Sequence, residues 1–335
     1  MLCAFPRVSL PQLREIQERL IMPVSAPPVF IFGALRSGTT VFRLMLDGHE
    51  GICNPGEFDF LFRCLRKGAD GAWVYDLEAL RKDRVFNHHG MRIRDGLDGP
   101  AMLRDFIDQI RAKYERPGVF TLNLHTGADK LAELMPGVRV IRMLRDPRDV
   151  ARSSIGMGWA GTTYFGLDHW IKTERQWDAA EPMIAPENRM ILRYEALFRD
   201  IETELRGVCD FLGVPFSDRM LRYHETSTYG PPDPKLVEQW KRKATPRELQ
   251  LMEGKLGPML ASRGYAPSGH APDRPTGPER RRLQIADLYG CWRFDVERYG
   301  AWLATAERVA RRLKLAGAHR RLRLKMNMVQ QQKIK

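Results

Sequence analysis

The sequence predicts an α/β fold: a parallel sheet with helices on both faces, plus a basic helical C-terminal extension. Three observations predict it. Apolar runs at 29–33 (VFIFG), 118–124 (GVFTLNL), 138–144 (VRVIRML) and 190–194 (MILRY) lack strict in-and-out alternation, as strands covered on both faces do. Between and beyond them, 40–49, 128–135, 167–177 and 195–214 carry apolar residues at helical spacing, and alternating strands and helices build parallel sheets. Charge marks off the extension. Of the 54 Lys/Arg and 41 Asp/Glu, residues 279–335 hold 15 and 5, a net +10, leaving about +3 on the other residues of the 335. The overall basicity therefore describes a tail, and it is weak support for specific nucleic-acid binding by the main domain.

Taken in order, the N-terminal twenty residues break their apolar content with Pro6, Arg7 and Pro11 and lack the continuous apolar stretch of a signal peptide. Five cysteines (Cys3, Cys53, Cys64, Cys209, Cys291) are odd in number and have no C-x-x-C spacing, so neither a disulfide framework nor a zinc site is expected. A reducing, cytoplasmic compartment is the expectation. The first strand then runs into VFIFGALRSGTT, whose Gly33-to-Gly38 spacing is that of a phosphate-binding loop with Thr39 where the lysine should stand. A strand that opens through such a loop into a helix presents backbone N–H groups and the positive helix end to an anion. This P-loop-like segment offers Arg36, Ser37, Gly38, Thr39 and Thr40. Without the lysine, transfer of a γ-phosphoryl group is disfavoured.

After the 138–144 strand comes RDPRDVARSS, with Arg145 at the strand end and Ser153 about two turns into the next helix. Ligands of open parallel sheets bind beyond the C-terminal strand ends, so both stretches would converge on one crevice. There an arginine can grip a phosphate bidentately, with a serine hydroxyl adding a hydrogen bond.

RSGTT after the first strand and RDPRDVARSS after a later one resemble the sulfotransferases that use 3′-phosphoadenosine 5′-phosphosulfate. GEFDFLF (56–62) resembles the acidic segment of the tyrosylprotein and many bacterial members. RYEAL (193–197) looks like their adenine-side tyrosine segment, and 234–265 is similar to their closing region. The resemblance covers about 28–265. It implies that the loop holds the 5′-phosphosulfate, Arg145 and Ser153 the 3′-phosphate, and that Tyr194 lines the nucleotide. No metal is implied. Arg36 would stabilise charge on the leaving phosphate, and sulfonate would pass to a hydroxyl or amine acceptor of unknown class. Two residues match catalytic bases of the family: Glu57, by the tyrosylprotein type, and His125, by the small-molecule type, with Glu57 the closer match. One departure is plain. No lysine lies between Val119 and Asp129, where relatives carry one for the sulfonate oxygens, which leaves Lys130, or Arg36 with Asn123 and His125, to do that work, or the activity weak or lost.

The expected organisation is a sulfotransferase domain over 1–270, a linker over 271–279 within the Pro- and Gly-rich PSGHAPDRPTGPE, and a basic helical tail over 280–335. In that tail Trp302, Ala306, Val309 and Leu313 would form the apolar stripe of a helix over 301–316, for docking on an anionic surface or a second subunit. Two other readings stay open: an inactive nucleotide-binding protein with a basic tail for an anionic partner, and, less favoured, a P-loop kinase.

Overall fold

The computed structural model describes residues 26–333 except 115, 228 and 232; the N-terminal segment discussed above, with Cys3, lies outside them. Five strands, β1 (Val29–Gly33), β2 (Ile52–Cys53), and, after the hairpin strands β3 (Leu65–Lys67) and β4 (Trp73–Tyr75), β5 (Val119–Leu124), β6 (Val140–Leu144) and β7 (Arg189–Arg193), define the architecture. The main sheet has the order β2-β5-β1-β6-β7, and every pairing in it is parallel. Strands β3 and β4 pair antiparallel as a separate ribbon.

Both faces of the sheet are covered, as the unalternating apolar runs require. Phe30 and Phe32 face one layer, where Phe30 meets Phe62 edge-on and Phe32 stacks on Trp177. Val29 and Ile31 face the other, with Phe42, Met45, Leu205 and Val208. Each such fully buried side chain contributes about 1.5–3 kcal/mol, so β1 is fixed at the sheet centre by its own composition. Its register places Phe32 beside Leu124 of β5 and Gly33 beside Met143 of β6. The C-terminal ends of β1, β5 and β6 therefore open on one edge. The helix expected over 195–214 is broken into Tyr194–Arg199 and Ile201–Leu212, because Asp200 leaves helical geometry and its carboxylate caps the second helix at Thr203 N.

No described helix is long and apolar enough to cross a membrane. The tail forms helices Gly277–Tyr299, Ala301–Arg312 and Ala316–Lys333, so the first begins inside the stretch expected as a linker. That stretch is held against helix Pro246–Leu256: Asp273 N donates to Gln250 O, and Arg247 pairs with Asp273 and Glu279. Beyond it, Asp287 accepts from the backbone N–H groups of Gly161 and Thr162. Gly161 and Gly290 permit this approach, since a Cβ on Gly161 would lie 2.2 Å from Asp287 O and one on Gly290 would lie 2.6 Å from Gly161 Cα. Asp287→Ala is expected to lower stability by about 1–2 kcal/mol, by loss of these two backbone bonds and a longer one from the Thr162 hydroxyl. Urea unfolding reads this, and an unchanged midpoint would mean that the first tail helix gives the domain no support.

The second tail helix buries Leu303, Ala304, Glu307 and Ala310, while Trp302, Val309 and Leu313 of the expected stripe are exposed. The helix is thus turned by about one residue, 100°, from expectation. Small alanines allow close helix packing, and Glu307 is tolerated inside because His319 lies 3.0 Å from its Oε1.

Candidate active site

The loop after β1 is shaped by two left-handed residues, Arg36 (φ 72) and Gly38 (φ 92). The second admits glycine alone: a Cβ there would lie 2.4 Å from the Tyr194 ring. Helix Thr39–Asp47 follows, with no side-chain cap at its N-terminus. A non-glycine residue at positive φ is strained, and here the strain accompanies a fixed direction: Arg36 Nε donates to Ser153 Oγ at 2.9 Å. Burial lowers the Arg36 pKa, and Arg145 nearby acts in the same sense against the opposing pull of Tyr229, Tyr194 and Glu57, so the guanidinium is partly desolvated.

Arg145, at the end of β6, lies over the Tyr194 ring with its guanidinium carbon 3.9 Å from the centroid. It donates to Arg36 O and Leu236 O, while its buried Nε has no protein partner. Three of its five N–H groups thus have no protein partner. The buried Ser37 hydroxyl also lacks a partner. Arg36, Gly38, Thr39, Thr40, Arg145, Ser153 and Tyr194 all line one cleft of about 610 Å³; Ser37, beneath the loop, does not. Spare donors, a capless helix start and clustered guanidiniums suit a ligand carrying two separate anionic groups.

What holds this edge together is a set of buried charges. Arg148 donates to both Asp146 oxygens and to Glu253, and stacks 3.5 Å over Trp240. Asp149 accepts from Trp240 N and Gln239 N. Glu195 accepts from Asp146 N and from the Tyr265 hydroxyl. The second Arg-Asp pair of RDPRD therefore fastens the closing region, while the first arginine is left for the cleft. The cleft also gains residues absent from the sequence-based assignments: Asp149, Arg152, Tyr223, Tyr229, Gln239 and Lys243. Arg152 sits inside RDPRDVARSS, one turn before Gly156, and could have been read from helical spacing; Tyr229 lies in irregular chain, and Lys243 ends the helix Trp240–Lys243, which is too short to carry a periodic signal.

Glu57 and His125 stand outside that cleft, beyond Arg36, and they stand together. The Gly56–Phe58 backbone runs beside Asn123 of β5 (Asn123 N to Gly56 O 2.9 Å, Phe58 N to Asn123 O 3.0 Å). This carries Glu57 to within 3.5 Å of His125 Nε2. His125 Nδ1 lies 2.7 Å from Gly33 O, and a carbonyl only accepts, so Nδ1 carries a proton. Asp59 accepts from the N–H groups of His125 and Thr126 and fixes the turn from below. The two residues weighed as alternative bases are neighbours in a single pair.

Their charges follow from this contact. The nearby His125 imidazole, 3.5 Å away and without a closer hydrogen-bond partner at Nε2, holds Glu57 below the usual carboxylate range, against burial, with Arg43 and Arg84 adding to the effect. Burial alone would lower His125, but Glu57 and Asp59 outweigh it and raise it. Glu57's contribution to stability is present above its unfolded value of about 4.3 and is lost as pH falls through its lowered folded pKa; that of His125 is present below about 6.5 and is lost as pH rises through its raised one. The pair is therefore firmest between those values. An imidazole NMR titration should place His125 above about 6.5, and Glu57→Gln should bring it down; a wild-type His125 titrating below that value would dissolve the pair.

Of the substitutes for the absent lysine, Lys130 is tied elsewhere, donating to Phe62 O and Leu65 O. Asn123 is spent on Thr39 O and Asn54. Arg36 and His125 remain.

Comparison with known proteins gives one consistent answer. Residues 27–218 match the model of the sulfotransferase family. The chain is 27% identical over 278 residues to a protein-tyrosine sulfotransferase of Drosophila melanogaster, covering 74% of this chain and 53% of that protein. It is 26% identical to protein-tyrosine sulfotransferase 1 of Danio rerio, with 74% of each covered. Among solved structures, the sulfotransferase domain from the curacin biosynthetic pathway aligns with a TM-score of 0.51 at 21% identity, covering 72% of this chain and 99% of that one. The domain from the Synechococcus PCC 7002 olefin synthase gives 0.50 at 20%, covering 65% and 88%. These two speak for the fold.

Proposed function

Because this chain belongs to the sulfotransferase family, we propose that it moves a sulfonate group from 3′-phosphoadenosine 5′-phosphosulfate to a hydroxyl acceptor, with the reacting centre between Arg36 and the Glu57–His125 pair. The observation that carries this is the phosphate loop itself: it has no lysine, and its arginine is bonded to Ser153 while Arg145 keeps free donors in the same cleft. In this reading the 5′-phosphosulfate lies on the Gly38–Thr40 backbone and the 3′-phosphate near Arg145 and Ser153, with Arg152 and Lys243 adding positive charge. Tyr194 flanks the nucleotide. The acceptor oxygen forms a bond to sulfur, the bond from sulfur to the 5′-phosphate oxygen breaks, and the acceptor proton passes to Glu57. Arg36 neutralises the charge left on the phosphate, which is the main work in a loose in-line transfer.

The names of the relatives make a polypeptide tyrosine the first acceptor to try. Labelled donor should transfer its sulfonate to a tyrosine-containing peptide or a small phenol, with one 3′-phosphoadenosine 5′-phosphate released per product. A protein that binds this nucleotide but transfers nothing across a broad panel of hydroxyl and amine acceptors would instead fit the second reading, an inactive binder, which the tethered Lys130 favours.

A further inference from the structure

We propose that the helical hairpin of Ala301–Arg312 and Ala316–Lys333 is a docking surface for an anionic lipid membrane. The two helices run antiparallel: Glu307 meets His319, and Lys325 lies 5.9 Å over the Trp302 ring, so one chain advances as the other returns. Their reversal is fixed by Lys314 at φ 55 and by Leu315 N donating to Ala310 O. Inside the hairpin lie Leu303, Ala304, Ala310 and Met326.

Outside it lie large apolar side chains: Trp302 is 69% exposed, Leu313 63% and Met328 61%, with Val309 and Leu324 at 50% and 55%. Exposed apolar residues recur on both helices with basic ones between them. Residues 301–329 hold eight Lys/Arg and a single acidic residue, Glu307, which is buried. Arg311, Arg312, Arg320, Arg321 and Arg323 are all exposed.

Charge decides among the occupants. A second copy of the same face would set one basic surface against another across a two-fold axis, and like charges brought together in this way oppose association. Nucleic acid would satisfy the arginines but leave Trp302, Leu313 and Met328 without an apolar environment. A bilayer with anionic headgroups satisfies both, since apolar side chains enter the headgroup and acyl boundary while arginine and lysine stems lie alongside with their charges at the phosphates. The hairpin follows the first tail helix, which is bonded to the domain through Asp287, so a membrane held there would hold the domain with it.

Co-sedimentation of the full chain with vesicles tests the proposal. Binding should be at least about tenfold tighter to phosphatidylcholine mixed with about one third phosphatidylserine than to phosphatidylcholine alone, and should weaken at least about tenfold between roughly 0.05 and 0.5 M salt. Trp302→Glu, and separately the pair Arg320→Glu with Arg321→Glu, should each reduce binding at least about fivefold with no change in thermal unfolding, because these side chains are exposed. Equal binding to both vesicle types would overturn the proposal. So would no binding by the full chain, which would mean that another part of it covers the hairpin, or a dimer in light scattering that Trp302→Glu abolishes.

Discussion

Glu57→Gln is expected to lower turnover by roughly 10²–10⁴ while changing the affinity for 3′-phosphoadenosine 5′-phosphate by less than about threefold. The amide keeps the shape and can still meet His125, but it cannot accept the acceptor's proton. Donor affinity is spared because Glu57 does not line the nucleotide cleft. His125→Asn should cost less, since His125 Nε2 reaches the reaction through Glu57 and its other nitrogen is committed to Gly33 O. Single-turnover rates with saturating donor separate the two. If Glu57→Gln retains most of its rate and His125→Asn loses it, the proton goes to the histidine and the order of the pair is reversed.

Arg145→Ala is expected to weaken 3′-phosphoadenosine 5′-phosphate by on the order of 2–3 kcal/mol, roughly 30- to 150-fold, with a much smaller loss for adenosine 5′-phosphate. Its guanidinium is desolvated at the strand end, stacked on Tyr194 and short of partners at Nε, so a phosphate there gains charge-assisted bonds in a dry site. The same substitution removes two bonds that hold Arg36 O and Leu236 O. A general loosening of the loop would weaken both nucleotides alike; the difference between them isolates the 3′-phosphate. Equal losses would take Arg145 out of the ligand's contacts.

How much of this was legible in the sequence depends on the element. The central strands β1, β5 and β6 could be read because each is a mainly apolar run without in-and-out alternation, interrupted only by Thr121, Asn123 and Arg142, and buried on both sides. Strand β2 has two residues and β3 and β4 three each, too short for any period to declare itself. Helix Gly99–Tyr114 carries a plain stripe of Met102, Phe106 and Ile110, yet it stands outside the sequence-based expectations, in a region where Gly, His and charged residues dominate the chain just before it. The site divides in the same way. Arg36, Arg145, Ser153 and Tyr194 sit in short motifs next to strand ends, where topology alone brings them to one edge. That Glu57 touches His125 depends on a bridge between residue 57 and residue 123, which no local pattern encodes. That Arg36 binds Ser153 depends on a positive φ at a non-glycine residue, equally invisible beforehand. The tail was legible in charge but not in face, because alanine and a paired glutamate, rather than the largest apolar residues, form its buried side.

In the proposed mechanism the cleft recognises its nucleotide by the 3′-phosphate. Calorimetric titration of the full chain with 3′-phosphoadenosine 5′-phosphate, adenosine 5′-phosphate and ATP with magnesium tests it most directly. The 3′-phosphorylated nucleotide is expected to bind at least about tenfold tighter than either of the others, since two to three charge-assisted bonds depend on that group. Binding of ATP with magnesium as tight as or tighter than the 3′-phosphorylated nucleotide would contradict it.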